Sequence, residues 1–135
     1  MNAKAISCWF LTLALVGCGD FVHHERLTGP FVFVVVYGAE ELRSVARYEG
    51  HGISVGRIGP VVTDAGLSTN YIVAAVRPEG KPGTAPSYFY LDIAKDSTVG
   101  DQYQAVTGPL AKDEFDKAKQ KLGLPEFSRH FPNLR

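Results

Sequence analysis

The chain has 135 residues, 45% of them hydrophobic, and its 14 basic and 14 acidic side chains balance to a formal charge of zero. That length suits one domain with a single modest core. Acids and bases are interleaved, so no field of one sign marks the chain for nucleic acid or an anionic lipid surface, and a DNA-binding role is not expected.

The opening MNAKAISCWFLTLALVG pairs a short segment carrying Lys4 with an uncharged apolar run over residues 5–16. About a dozen residues fall short of the ~20 that span a bilayer as a helix, but they match the hydrophobic region of an export signal. A plain secretory signal would end in small residues of the A-x-A kind, whereas this one ends Leu15-Val16-Gly17-Cys18. The run resembles the lipobox of bacterial lipoproteins. The resemblance implies cleavage between Gly17 and Cys18, diacylglyceryl alkylation of the Cys18 thiol, and further acylation of the new N-terminus by fatty acids of the palmitate class. The competing reading is an ordinary signal or an uncleaved anchor with Cys18 there by accident. One acyl chain binds a membrane only marginally, so the several chains of a lipoprotein cysteine meet the physical requirement for stable anchoring.

On this reading Cys8 leaves with the signal and Cys18 carries lipid, so no thiol remains for a disulfide, a zinc site or nucleophilic catalysis. Removing residues 1–17 deletes one base, Lys4, and no acid, which takes the side-chain charge from 0 to −1. In the lipoprotein family an aspartate directly after the cysteine retains the protein in the inner membrane of enteric bacteria. Gly19 stands there and Asp20 follows, which points to the periplasmic face of the outer membrane, or to the outer face of the cytoplasmic membrane in a single-membrane envelope.

Residues 18–28 read as a short lipidated tether, whose later half can join the fold as an edge strand through Phe21 and Val22. The folded domain is expected over residues 29–135. After the turn signal Gly29-Pro30, the run FVFVVVY (31–37) is β-branched and aromatic throughout and too short for an ordinary helix, so it is a strand. Gly38 ends it; the first part of AEELRSVARYE could form a helical turn, and residues 43–49 alternate as a strand. Glycines punctuate GHGISVGRIGP (50–60), which suits a loop or a bent, bulged strand. VVTDAG (61–66), NYIVAAV (70–76) and SYFYLDI (87–93) read as further strands, with an exposed Pro/Gly loop over 77–86.

One helix is expected, over 111–122, with acids in its first turn and lysines toward its end, as the helix dipole favours. Leu110, Phe115, Ala118, Lys119 and Leu122 form a narrow stripe; Gly123 suits a left-handed C-cap and Pro125 blocks continuation. Ala111 stands at the N-cap, where Ser, Thr or Asp would be better by about 0.5–2 kcal/mol. In the tail, Phe127, Phe131 and Leu134 recur at i, i+4, i+7, either as a strap across the sheet or as a partner-docking stripe.

Four motifs invite chemistry. GISVG (52–56) matches the G-x-S-x-G elbow of serine hydrolases, but Arg57-Ile58-Gly59-Pro60 follows where a helix must start, and the chain is short for that fold. His23 and His24 would point to opposite faces of a strand and cannot easily grip one metal, while His51 and His130 are far away in sequence. Asp92, Asp96 and Asp101 lack the close alternation of a calcium loop. The glycines at 50, 52 and 56 lack the third glycine and the helix of a phosphate-binding turn. No catalytic residue, metal or cofactor is therefore assigned.

The stretch VTGPLAKDEFDKAKQKLGLPEF (106–127) resembles the ending of a group of small bacterial lipoproteins of unknown activity, in which G-P-L, E-F and a basic helix ending L-G-[IL]-P recur. NYIVAAVRP resembles that group's central strand. Ala111 departs from the group's usual Ser, Thr or Asp. The resemblance implies a lipoprotein identity and no catalytic residues.

The expected fold is therefore α+β and mainly antiparallel β, a curved sheet or small sandwich with one C-terminal helix, its core built from residues 31–37, 71–76 and 88–93. The expected function is a non-enzymatic, membrane-anchored lipoprotein of the cell envelope that binds a protein or other envelope partner, an inhibitor- or immunity-like role being one form of it, with Phe127, Phe131 and Leu134 as the candidate docking surface should the tail not be a strap. The alternatives are a small hydrolase using Ser54 and a purely structural envelope component.

Overall fold

The computed structural model describes residues 22–38, 40–97 and 102–134; the signal segment, Gly17, Cys18, the residues up to Phe21, and Asp101 lie outside them. The first sheet is an antiparallel meander of β1 (Val22–Thr28), β2 (Phe31–Val36), β3 (Leu42–Gly50) and β4 (Ile53–Ile58), in that spatial order. The second contains β5 (Val62–Leu67), β6 (Tyr71–Val76), β7 (Ser87–Asp92), β8 (Val106–Leu110) and β9 (Arg129–His130), in the order β8-β7-β6-β5-β9, again antiparallel. The expected mainly antiparallel β fold with one late helix is what forms.

Alternation decides which residues meet. Phe31, Phe33 and Val35 of β2 point inward with Val45 of β3 and Ile58 of β4, and join Val62, Ala65, Ile72, Ala74, Val76 and Leu91 from the second sheet in one core. The two sheets thus enclose a shared core, a small sandwich. Register places Val73 and Tyr90, and Ala75 and Tyr88, as facing pairs on the outer side of β6 and β7. There the helix α1 (Lys112–Leu122) packs: Phe115 is buried with Val73 and Leu124, flanked by Tyr71, Tyr88, Tyr90 and Phe127. Helix and core together cover both faces of β6, which is why its sequence is apolar without a break.

The helix begins one residue later than its sequence pattern predicts. Ala111 has no side-chain acceptor to offer, yet its N–H donates to the Glu114 carboxylate at 2.8 Å, half of a capping box. Gly123 closes the helix in the left-handed region at φ 66°, its N–H bonded to Lys119 O at 2.9 Å.

Three segments depart from the sequence reading. Residues 22–28 are not tether: β1 pairs with β2 from Val22↔Val36 to Thr28↔Phe31, so only residues 19–21 separate Cys18 from the sheet. The strand β8 was hidden by its Gly-Pro, which reads as a turn, but Pro109 is tolerated because β8 is an edge strand. The two-residue β9 is too short to carry any periodic signal; it exists because the tail lies against β5, with Ser128 N–H on Ala65 O at 2.9 Å and Phe131 N–H on Thr63 O at 2.8 Å.

Candidate functional site

Where the tail, β5 and the end of β6 meet, a cavity of about 360 Å³ opens between Thr63, Asp64 and Arg77 on one side and loop 83–86 on the other. Arg77 follows β6 directly and is buried, 4% exposed. Its Nε donates to the Leu134 carbonyl, and one terminal nitrogen pairs with Glu40 from the β2–β3 connection. The other terminal nitrogen is buried without a partner. On the tail side, His130 Nδ1 lies 2.6 Å from Asp64 Oδ1, while the Thr63 hydroxyl donates to Asp64 Oδ2 at 2.9 Å. The pair sets an imidazole against a carboxylate, an arrangement that orients a base. Ser54, the nucleophile that such a base would activate, does not line the cavity.

Ser54, the candidate nucleophile, lies inside β4 opposite Tyr48, where the strand continues to Ile58 and no helix starts. Its Oγ is buried and makes no hydrogen bond, so neither His130 nor any other histidine holds it. Ser54→Ala deletes an unsatisfied buried hydroxyl, and thermal unfolding of the variant is expected to show unchanged or slightly higher stability. A marked loss of stability would show that the hydroxyl has a partner.

The partner-docking stripe expected at Phe127, Phe131 and Leu134 does not form. Phe127 stacks on Phe115 at 5.7 Å and packs against Tyr88 under the helix. Phe131 meets Phe33 edge-to-face at 5.3 Å and carries the Arg43 guanidinium 4.1 Å over its ring, while Leu134 is 1% exposed. The tail is the strap of the alternative reading, because a sheet edge and an uncovered core rim offer these side chains more burial than solvent does.

Of the other candidates, His24 and Asp92 have structural roles. His23 is exposed, and His24 packs edge-to-face on Tyr48 at 5.8 Å. Asp92 accepts from Ala94 N–H at 3.1 Å and so caps the short 3-10 turn Ile93–Lys95. Gly50 and Gly52 flank His51 in the tight β3–β4 turn, all three with positive φ. Among the described residues no group of three or more His, Cys, Asp or Glu side chains could hold a metal ion, and no helix is long and apolar enough to cross a membrane.

Sequence reading missed the buried arginines. Arg43 bonds Glu25 at 2.6 Å and Glu41 at 2.9 Å; Arg57 and Arg47 converge on Asp96 at 2.6 and 2.9 Å. A signal was present in LRSVARYEG: Arg43 and Arg47 share strand parity with the core residue Val45, which directs both inward.

Exposed apolar side chains gather at the two ends of the first sheet. Val22, Val36 and Tyr37, at 47%, 36% and 47% exposure, lie at the end where β1 begins; Tyr48 and Ile53, at 40% and 58%, flank the β3–β4 turn at the other. Comparison with protein-family models, curated proteins and solved structures finds no match to this chain.

Proposed function

We propose that this protein is a lipid-anchored lipoprotein of the bacterial cell envelope that binds an envelope protein and performs no catalysis. One observation carries the reading: an uncharged apolar run ends in Leu15-Val16-Gly17-Cys18, and the first strand starts at Val22, so a modified Cys18 would hold the domain close to the bilayer. The chain sits on the periplasmic face of the outer membrane, or on the outer face of the cytoplasmic membrane in a single-membrane envelope. Binding is favoured over hydrolysis by the position of Ser54 within a strand and by its Oγ having no base beside it. The partner is met at the end of the sandwich remote from the anchor, where Tyr48 and Ile53 are exposed, since the tail aromatics are occupied within the domain.

In a bacterial host, Cys18→Ser is expected to leave the precursor uncut, with residues 1–17 still attached and no fatty acid on the N-terminal fragment by mass spectrometry. Unchanged processing, or a wild-type N-terminus with a bare Cys18 thiol, would refute the anchor. The soluble domain, used as bait in envelope extract, should retain a partner that Ile53→Asp loses; a repeated lack of any partner would refute the binding role.

A further inference from the structure

The sequence FVFVVV presents two apolar faces, and the fold covers only one of them fully. Phe31, Phe33 and Val35 are in the core, at 1% exposure or less. On the opposite face exposure rises along the strand, from 9% at Val32 through a half-buried Val34 to 36% at Val36. Val36 faces Val22 of β1 on one side and the half-buried Leu42 of β3 on the other, and Tyr37 follows it. The α-helix that covers an outer face lies on the second sheet.

This uncovered end is also where the chain enters the fold. Four peptide steps from Cys18 to Val22 reach at most about 14 Å at ~3.3–3.6 Å each. The polar layer on each side of a bilayer is about 5–7 Å thick, so Val22 cannot stand clear of a membrane whose acyl region holds the Cys18 lipid by more than a few side-chain lengths. Among the described residues, the acids nearest this end, Glu25, Glu40 and Glu41, are each paired with a buried guanidinium, Arg43 or Arg77, so those carboxylates do not oppose contact. Tyr37 supplies the side chain type that favours the membrane–water boundary, an apolar ring with a polar tip.

We propose that Val22, Val36 and Tyr37 seat in the interfacial layer of the bilayer that carries the Cys18 lipid, so that the domain is docked in one orientation instead of swinging on its tether. The proposal rests on lipidation of Cys18. It makes the β3–β4 turn the outermost part of the first sheet: the nine residues of β3 run from Leu42 at the membrane to Gly50 away from it.

Trp9 is the chain's one tryptophan and lies in the signal segment, so Tyr37→Trp and, separately, Tyr48→Trp each give the mature protein a single reporter. The full lipidated protein is reconstituted into phosphatidylcholine vesicles, with N-terminal acylation checked by mass spectrometry and vesicle binding by flotation. The reporter at 37 is expected to shift to the blue relative to the lipid-free domain of residues 19–135, which also lacks Trp9, to be quenched by brominated phosphatidylcholine and to be shielded from iodide. The reporter at 48 should show none of these changes. Adding Val22→Asp and Val36→Asp should abolish the quenching at 37 while acylation, flotation and far-ultraviolet dichroism persist. An acylated protein that floats with the reporter at 37 as open to iodide as in the lipid-free form, or with the reporter at 48 quenched instead, overturns the docked orientation alone. A free Cys18 thiol and no flotation overturn both this proposal and the anchor beneath it.

Discussion

Replacing Asp96 by alanine is expected to lower the stability of the domain by about 3–5 kcal/mol, the range seen when one partner of a buried ion pair is removed. Its side chain is 0% exposed, and it receives Arg57 Nε at 2.6 Å and Arg47 at 2.9 Å. Arg57 comes from β4 and Arg47 from β3, whereas Asp96 follows the 3-10 turn after β7, so the carboxylate ties one sheet to the other across the end of the core. Without it the Arg57 guanidinium, with a side chain 1% exposed, loses this carboxylate and retains carbonyl contacts, among them Ser97 O at 3.3 Å. A buried cation deprived of that countercharge is costly unless water reaches it, which requires the sheets to part. Equilibrium unfolding in urea measures the loss, and a cycle with Arg57→Met separates the stranded charge from the lost contact: the double variant is expected to be more stable than Asp96→Ala alone. Because the pair is buried, added salt should change the difference little. A loss below about 1 kcal/mol, the scale of exposed pairs, would mean that water already reaches the site.

Gly66→Ala is the second large effect, at about 3 kcal/mol or more, above what ordinary overpacking costs because the obstacle is main chain. A Cβ at Gly66 would stand 2.0 Å from the carbonyl oxygen of Glu126 and 3.1 Å from a Val73 methyl. The tail crosses β5 at van der Waals contact there, and its strap is registered by Ser128 on Ala65 and Phe131 on Thr63 immediately beyond. The tail must lift to admit one methyl group. Lifting it uncovers Phe33 beneath Phe131, withdraws the aromatic face from Arg43 and the Leu134 carbonyl from Arg77, and leaves buried guanidinium donors unpaired. Limited trypsin digestion reports this directly, since cleavage after Arg129 should become fast in the variant while the wild type resists. Retained protection together with unaltered unfolding would show that the crossing has more room than its geometry gives it.

The strands over residues 31–36, 71–76 and 87–92 and the helix over 112–122 were legible because each is written in a contiguous run. A β-branched stretch bounded by Gly-Pro, or a helix with acids first, lysines last and Gly123 after it, encodes its conformation within about a dozen residues. The antiparallel class followed from those runs and their short turns. The end of the apolar segment at Cys18, on which the proposed anchor depends, is likewise a local pattern. β1 was half legible: Val22 suggested an edge strand, but nothing within VHHERLT says that the whole segment pairs with β2.

What tertiary structure alone decided is the use of polar and terminal residues. Glu25 and Arg43 are 18 residues apart, Glu40 and Arg77 37, and Arg57 and Asp96 39, so no local window contains both members of any of these pairs. The same distance hid the fate of Phe127, Phe131 and Leu134, whose helical spacing suggested a docking stripe and whose partners Phe115, Phe33 and Arg77 come from a helix, a different sheet and the end of β6. Backbone conformation is encoded by neighbouring residues through sterics and periodicity. Burial of a charge, or of an aromatic ring in the tail, depends on which remote group arrives to desolvate and pair with it, and only the packing of the two sheets and the tail brings those groups together.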